Sequence, residues 1–140
     1  MTMNNNFLQV KIYNKAGYKP TIDFEKWRVA YLNTTQDLTT NYIIKIERHM
    51  KSDEVFVLLE GECVLIAAGN SEKPWEKLKF IPMKRSVIYN YPKGSWHSVI
   101  MNKKSKILIV ENKNTCGSNS EHFFLTKHQK EQIKKYKKHT

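Results

Sequence analysis

The stretch Glu47-Arg48-His49-Met50-Lys51-Ser52-Asp53-Glu54-Val55-Phe56-Val57-Leu58-Leu59-Glu60-Gly61 decides the reading of this chain. A β-prone segment runs up to Arg48 and His49, a short polar turn follows, and an apolar strand begins at Glu54 and stops at a glycine. Residues two apart on a strand share a face, so Glu47 and His49 point the same way, as do Glu54, Phe56 and Leu58. Asp53 has the opposite parity to Glu54 and reads as a turn residue. Downstream, Pro92-Lys93-Gly94-Ser95-Trp96-His97 puts a histidine just after a Pro-x-Gly turn, at the head of another strand. Antiparallel pairing would bring His49, Glu54, His97 and Glu47 together at the mouth of a barrel. Imidazole nitrogens and carboxylate oxygens suit Fe(II), Mn(II), Ni(II) or Zn(II), and two histidines with one carboxylate leave coordination positions open.

The rest of the chain is strand-like with turns at short spacing. Phe7 to Tyr13, Phe24 to Leu32, Tyr42 to Arg48, Leu78 to Ile81, Val87 to Tyr91, His97 to Met101 and Ile107 to Val110 read as strands. Trp27, Val29 and Tyr31 alternate as in a half-buried strand. Cys63 to Ala67 reads as the hairpin partner of Glu54 to Leu59, with Gly61 at the break. This is the pattern of an all-β barrel or sandwich rather than of βαβ units. One helix is expected over about 126–137, opened by the capping box Thr126-Lys127-His128-Gln129 and fraying after Tyr136. At 140 residues the chain is the size of one domain, so residues 1–140 are taken as one unit with a barrel core over about 24–111. The run Val55-Phe56-Val57-Leu58-Leu59 is apolar at every position. Both faces of that strand therefore need cover, from a second sheet, an N-terminal strand or another subunit, and a homodimer is expected.

The net charge of +11 raises nucleic acid as a partner, but only Arg28, Arg48 and Arg85 are arginines, six lysines fall in the stretch Lys127 to Lys138 and the others are scattered. Bidentate phosphate and base contacts favour arginine, so no nucleic-acid role is expected. No apolar run reaches the length of a membrane span and no signal pattern opens the chain, so the reading is cytoplasmic, without a membrane partner. Cys63 and Cys116 show no C-x-x-C spacing and read as reduced thiols.

The spacing Glu47-x-His49-x4-Glu54-x6-Gly61 resembles the first motif of the cupin superfamily, and Pro92-x-Gly94-x2-His97 resembles the second. The resemblance covers roughly residues 40 to 111. It implies a double-stranded β-helix, or jelly-roll, barrel with a C-terminal α-helix, often dimeric, with any metal held inside. By position His49, Glu54 and His97 match motif ligands, and Glu47 stands where a further histidine would be. Ser86 stands where the second motif has glycine, and Met101 where it has asparagine. A divalent-metal enzyme of isomerase, lyase or oxygenase type would follow, acting on a small polar ligand such as a sugar or a carboxylate. Glu47 or Glu54 would move a proton, while Lys45, Phe56 and Trp96 would touch the substrate. The alternative is a metal-free barrel that binds a small molecule, with the same three residues as a hydrogen-bonded cluster.

Overall fold

The computed structural model describes residues 3–4 and 7–138, with side chains for 7–136. The expected fraying after Tyr136 falls largely outside the described residues. The described residues form ten strands, two short 3₁₀ turns and one helix: β1 (Met3–Asn4), β2 (Gln9–Val10), β3 (Gly17–Phe24), β4 (Trp27–Asn33), β5 (Lys45–His49), β6 (Glu54–Ala67), β7 (Lys79–Pro82), β8 (Ile88–Tyr91), β9 (His97–Asn112), β10 (Ser120–Phe124) and α1 (Lys127–Lys138). Apart from the small β1–β2 ladder, the strands form one antiparallel sheet.

Two long strands organise that sheet. β6 and β9 pair antiparallel along nearly their whole lengths, from Glu54↔Glu111 to Ala67↔His97. The first half of β6 also pairs with β8 and its second half with β7. The C-terminal half of β9 pairs with β4, which pairs with β3. The N-terminal end of β9 meets β5 at His97↔Glu47, and β5 pairs with β10. The result is a jelly-roll barrel whose two halves share the same two strands.

Gly61 is not the hairpin turn the sequence suggested. It sits at the bend of β6, between register shifts at Leu58/Glu60 and Glu60/Glu62, with φ +81°. A Cβ there would lie 2.3 Å from Ser105 Oγ and 2.7 Å from the Lys104 carbonyl. Glycine is needed both for the left-handed backbone and for the close approach of β9. Cys63 to Ala67 therefore continues the Glu54–Leu59 strand instead of folding back on it. Likewise, His97–Met101 and Ile107–Val110 are two parts of one 16-residue strand, bent beside Lys103 at φ +49°. Phe24 closes β3, and Glu25 makes the turn into β4 at φ +47°. β3 and β10 were not visible as strands in the sequence, and Phe7–Tyr13 contributes only Gln9–Val10.

Two apolar clusters fill the molecule. Inside the barrel, Ala30, Leu32, Phe56, Leu58, Cys63, Leu65, Val99, Met101, Ile107 and Ile109 pack together. Behind the other half, Ile46, Val64, Ile66, Trp96 and Ile100 pack against Leu125 and Ile133 at the start and on the face of α1. Each fully buried aliphatic side chain contributes about 1.5–3 kcal/mol. α1 opens as its sequence predicts: Gln129 N–H donates to Thr126 Oγ1 at 3.1 Å and Thr126 N–H to Gln129 Oε1 at 2.9 Å. Among the described residues, no helix is long and apolar enough to cross a membrane.

Candidate metal and ligand site

The two motifs are stitched together by Asp53. Its carboxylate accepts the Lys93 backbone N–H at 2.8 Å and the Asn90 amide at 3.1 Å. Gly94 turns the chain at φ +81°, and its N–H donates to the His49 carbonyl at 2.8 Å. These bonds set the end of β5 beside the starts of β6 and β9. Parity then aims His49, Glu54 and His97 into the barrel.

The geometry is close. His49 Nε2 and His97 Nε2 each lie 2.9 Å from one and the same oxygen, Glu54 Oε2. Glu54 is 6% exposed and His97 3%. Tyr91 stacks on the His97 ring at 4.5 Å and Phe56 meets it edge-on. The His97 Nδ1–H donates to the Ser95 carbonyl at 2.8 Å. A carbonyl can only accept, so the proton of neutral His97 is on Nδ1 and its Nε2 presents a lone pair to the carboxylate. His49 Nδ1 lies 2.8 Å from Ser120 Oγ.

With both rings neutral and protonated on Nδ1, neither Glu54 Oε2 nor His97 Nε2 has a hydrogen-bond partner, although both are buried. Such orphaned atoms are rare in folded proteins and ask for an explanation. A cation supplies one. Donors about 2.1 Å from a first-row ion, at right angles to one another, sit roughly 3 Å apart. The two nitrogen–oxygen separations agree with that spacing and equally with charge-assisted hydrogen bonds from protonated rings. Two overlapping groups, Glu47–His49–His97 and His49–Glu54–Glu111, have ligand atoms close enough together to hold a metal.

Charge is tuned to match. Burial works against ionisation of Glu54, but the His49 and His97 rings outweigh it and hold the carboxyl at about 2, below its ordinary 4.5. Burial also pulls both imidazoles down, and the Glu54 carboxylate outweighs it, so both rings lie above their ordinary 6.5. Glu111, paired across the strands with Glu54, is raised by its own burial and by the Glu54 charge.

These residues stand in a cavity of about 740 Å³, within the size of small-molecule sites. Its wall is apolar along Leu32, Leu38, Phe56, Val99 and Ile109, and carries Lys45 and Glu47 from β5. The sequence-derived set thus comes together at His49, Glu54, His97, Glu47, Lys45 and Phe56. Trp96 is the correction. It has the opposite parity to His97, is buried in the cluster under α1, donates its indole N–H to the Ser71 carbonyl, and lies under the Arg48 guanidinium. It does not reach the cavity.

Three residues escaped the sequence reading. Glu111 lies just past the expected strand Ile107 to Val110, yet Ile107, Ile109 and Glu111 share the inward face of β9. That alternation was the available signal. Glu111 accepts a very short hydrogen bond from the Tyr18 hydroxyl and faces Arg28 at 3.7 Å. His122 and Ser120 lie on β10, whose polar sequence gave no strand signal. His122 Nε2 is 3.2 Å from Glu47 Oε2.

No protein-family model matches the chain, and no curated protein matches it. Solved structures do. A cupin-2 domain protein from Shewanella frigidimarina is similar over 72% of this chain and 85% of its own, at 17% identity and a TM-score of 0.52. The chain has the cupin fold. A second cupin-like barrel, the Streptomyces nucleoside dehydratase Pac13, is similar over 83% of this chain and 86% of its own, at 11% identity and a TM-score of 0.56. A variant of that protein with uridine is similar to the same extent. Identities this low speak for the cupin fold alone.

Proposed function

We propose that this cupin-fold protein is a divalent-metal enzyme acting on a small polar metabolite. His49, His97 and Glu54 would hold the ion, with Glu47 or Glu111 beside it. The observation that carries this reading is the convergence of two imidazole nitrogens on one buried carboxylate oxygen at 2.9 Å, with Glu54 Oε2 and His97 Nε2 unpaired when the rings are neutral. A bound ion would supply Lewis acidity toward a carbonyl or hydroxyl oxygen of the ligand. Glu47 is half-exposed at the cavity wall and is placed to move a proton, with His122 as its neighbour. Phe56 and the apolar wall would pack against the body of the ligand, and Lys45 would meet an anionic group at the rim. The likeness to Pac13 makes a nucleoside the first ligand to test, alongside sugars and carboxylates.

Elemental analysis of the purified protein tests the reading. It predicts close to one iron, manganese, nickel or zinc per chain, lost in His49→Ala and in His97→Ala. Metal-free wild type that takes up none of these ions would refute it.

A metal-free binding barrel is the second reading, favoured by the self-neutralising charge of the triad. Two protonated imidazoles against Glu54 also satisfy the cluster. A melting temperature that rises with ligand and ignores divalent ions would select it.

The homodimer is also a proposal. The outer face of the β8–β6–β9 sheet offers Ile88, 73% exposed, beside half-buried Val55 and Val57. Light scattering should give twice the 16.6 kDa chain mass. A single-chain mass would remove the dimer without touching the site.

A further inference from the structure

We infer that Ser120 is a positioning residue that fixes the tautomer of His49, so that its Nε2 lone pair, and not an N–H, faces Glu54. The inference rests on counting hydrogens. The Ser120 hydroxyl has one proton and lies 2.7 Å from the Cys116 carbonyl, which can only accept. Its single hydrogen is therefore given to Cys116. His49 Nδ1, 2.8 Å away, must then be the donor to Ser120 Oγ. The proton of neutral His49 is on Nδ1, and Nε2 is left bare at 2.9 Å from Glu54 Oε2.

The two histidines thus reach one protonation pattern by different routes. His97 is held by a backbone carbonyl, Ser95. His49 is held by a side chain whose own orientation comes from the loop before β10. That loop is firm. The Cys116 N–H donates to Asn119 Oδ1 at 3.0 Å, the Asn119 amide donates to the Asn114 carbonyl at 2.8 Å, and Met50 N–H donates to the Asn119 carbonyl at 2.9 Å. An outer partner that orients a ligating imidazole in this way commonly changes metal affinity by roughly 10–100-fold when removed.

The inference deepens the metal-site reading, on which its affinity arm rests; its tautomer arm stands alone. Long-range ¹H–¹⁵N NMR of metal-free protein, on the alkaline side of the imidazole titrations, reads the tautomer directly. Wild type should show His49 with Nδ1 protonated and Nε2 bare. Ser120→Ala should shift His49 toward the Nε2–H form, while His97 stays unchanged as an internal control for folding. Ser120→Thr, which keeps the hydroxyl, should restore the wild-type pattern. Zinc titration should find Ser120→Ala weaker by roughly 10–100-fold and Ser120→Thr close to wild type. An Nε2–H tautomer of His49 in wild type, or a His49 spectrum unmoved by Ser120→Ala, overturns the inference. So does zinc binding that Ser120→Ala leaves as tight as before. Wild type that binds no zinc but shows the expected tautomers would sink the metal reading and leave the role of Ser120 standing.

Discussion

Two buried polar clusters lie on opposite sides of the β6–β9 pair, and they differ in one respect. Under α1, Gln129 is 0% exposed and has every side-chain atom paired: Oε1 accepts from Thr126 N–H and Nε2 donates to the Trp75 carbonyl at 3.0 Å. Inside the barrel, Glu54 and His97 are almost as buried, and with neutral rings Glu54 Oε2 and His97 Nε2 have no hydrogen-bond partner. Burial is equal and satisfaction is not. A buried polar group whose bonds are complete holds structure together. One completed only when its histidine neighbours are protonated is open to a cation in their place.

Substitutions at the two clusters should therefore separate. Glu54→Gln and His97→Ala should each weaken zinc binding by more than the roughly 100-fold that loss of an outer partner costs, measured by competition with a chromophoric chelator. Retained affinity in either variant would mean that the ion sits elsewhere. Gln129→Ala should do the reverse. It strips partners from Thr126 N–H and the Trp75 carbonyl, so urea denaturation should show a loss of about 1–3 kcal/mol with metal affinity unchanged.

Acidity sharpens the contrast, because Glu54, His49 and His97 are themselves ionisable and Gln129 is not. Glu54 is held below its ordinary 4.5, so the stability it contributes is complete above that pH and is lost as pH falls toward about 2. His49 and His97 are held above 6.5, so their contribution is complete below that pH and is lost as pH rises through their folded values. Metal-free protein should melt highest between these limits and decline on both sides. Glu54→Gln should flatten both declines, whereas Gln129→Ala should lower the whole profile and keep its shape. An unchanged pH profile in Glu54→Gln would show that the triad charges do not interact in solution.

The smallest expected effect lies away from both clusters. Ser86 adopts φ +67°, the left-handed region, at the position where the second cupin motif has glycine. Ser86→Gly should raise stability by about 0.5–1 kcal/mol in thermal melts, since the strain of a side chain in that conformation is removed. A destabilised variant would show that the serine makes good its conformational cost.

The triad was legible because its signal is local and redundant. Strand parity aims His49, Glu54 and His97, and the Pro92-x-Gly94 turn places His97; the alternation of Trp27, Val29 and Tyr31 marks a strand but not its core face, which carries Ala30 and Leu32. What escaped depends on partners distant in the chain. Ser120–Phe124 is a strand because β5 offers it an edge; by itself Ser-Glu-His-Phe-Phe has no alternation to see. His122 and Ser120 were hidden with it. Gly61 misled because positive φ serves a hairpin and a bulge equally well, and only the approach of Ser105 on β9 decides between them. Trp96 misled through adjacency, since neighbours on a strand face opposite ways.

The most direct test is anomalous diffraction from crystals grown with Zn(II) or Mn(II). The account predicts one strong peak within about 2.3 Å of His49 Nε2, His97 Nε2 and Glu54 Oε2 together. A cavity without such a peak, with ring N–H groups turned onto Glu54 as ordinary hydrogen bonds, would contradict it.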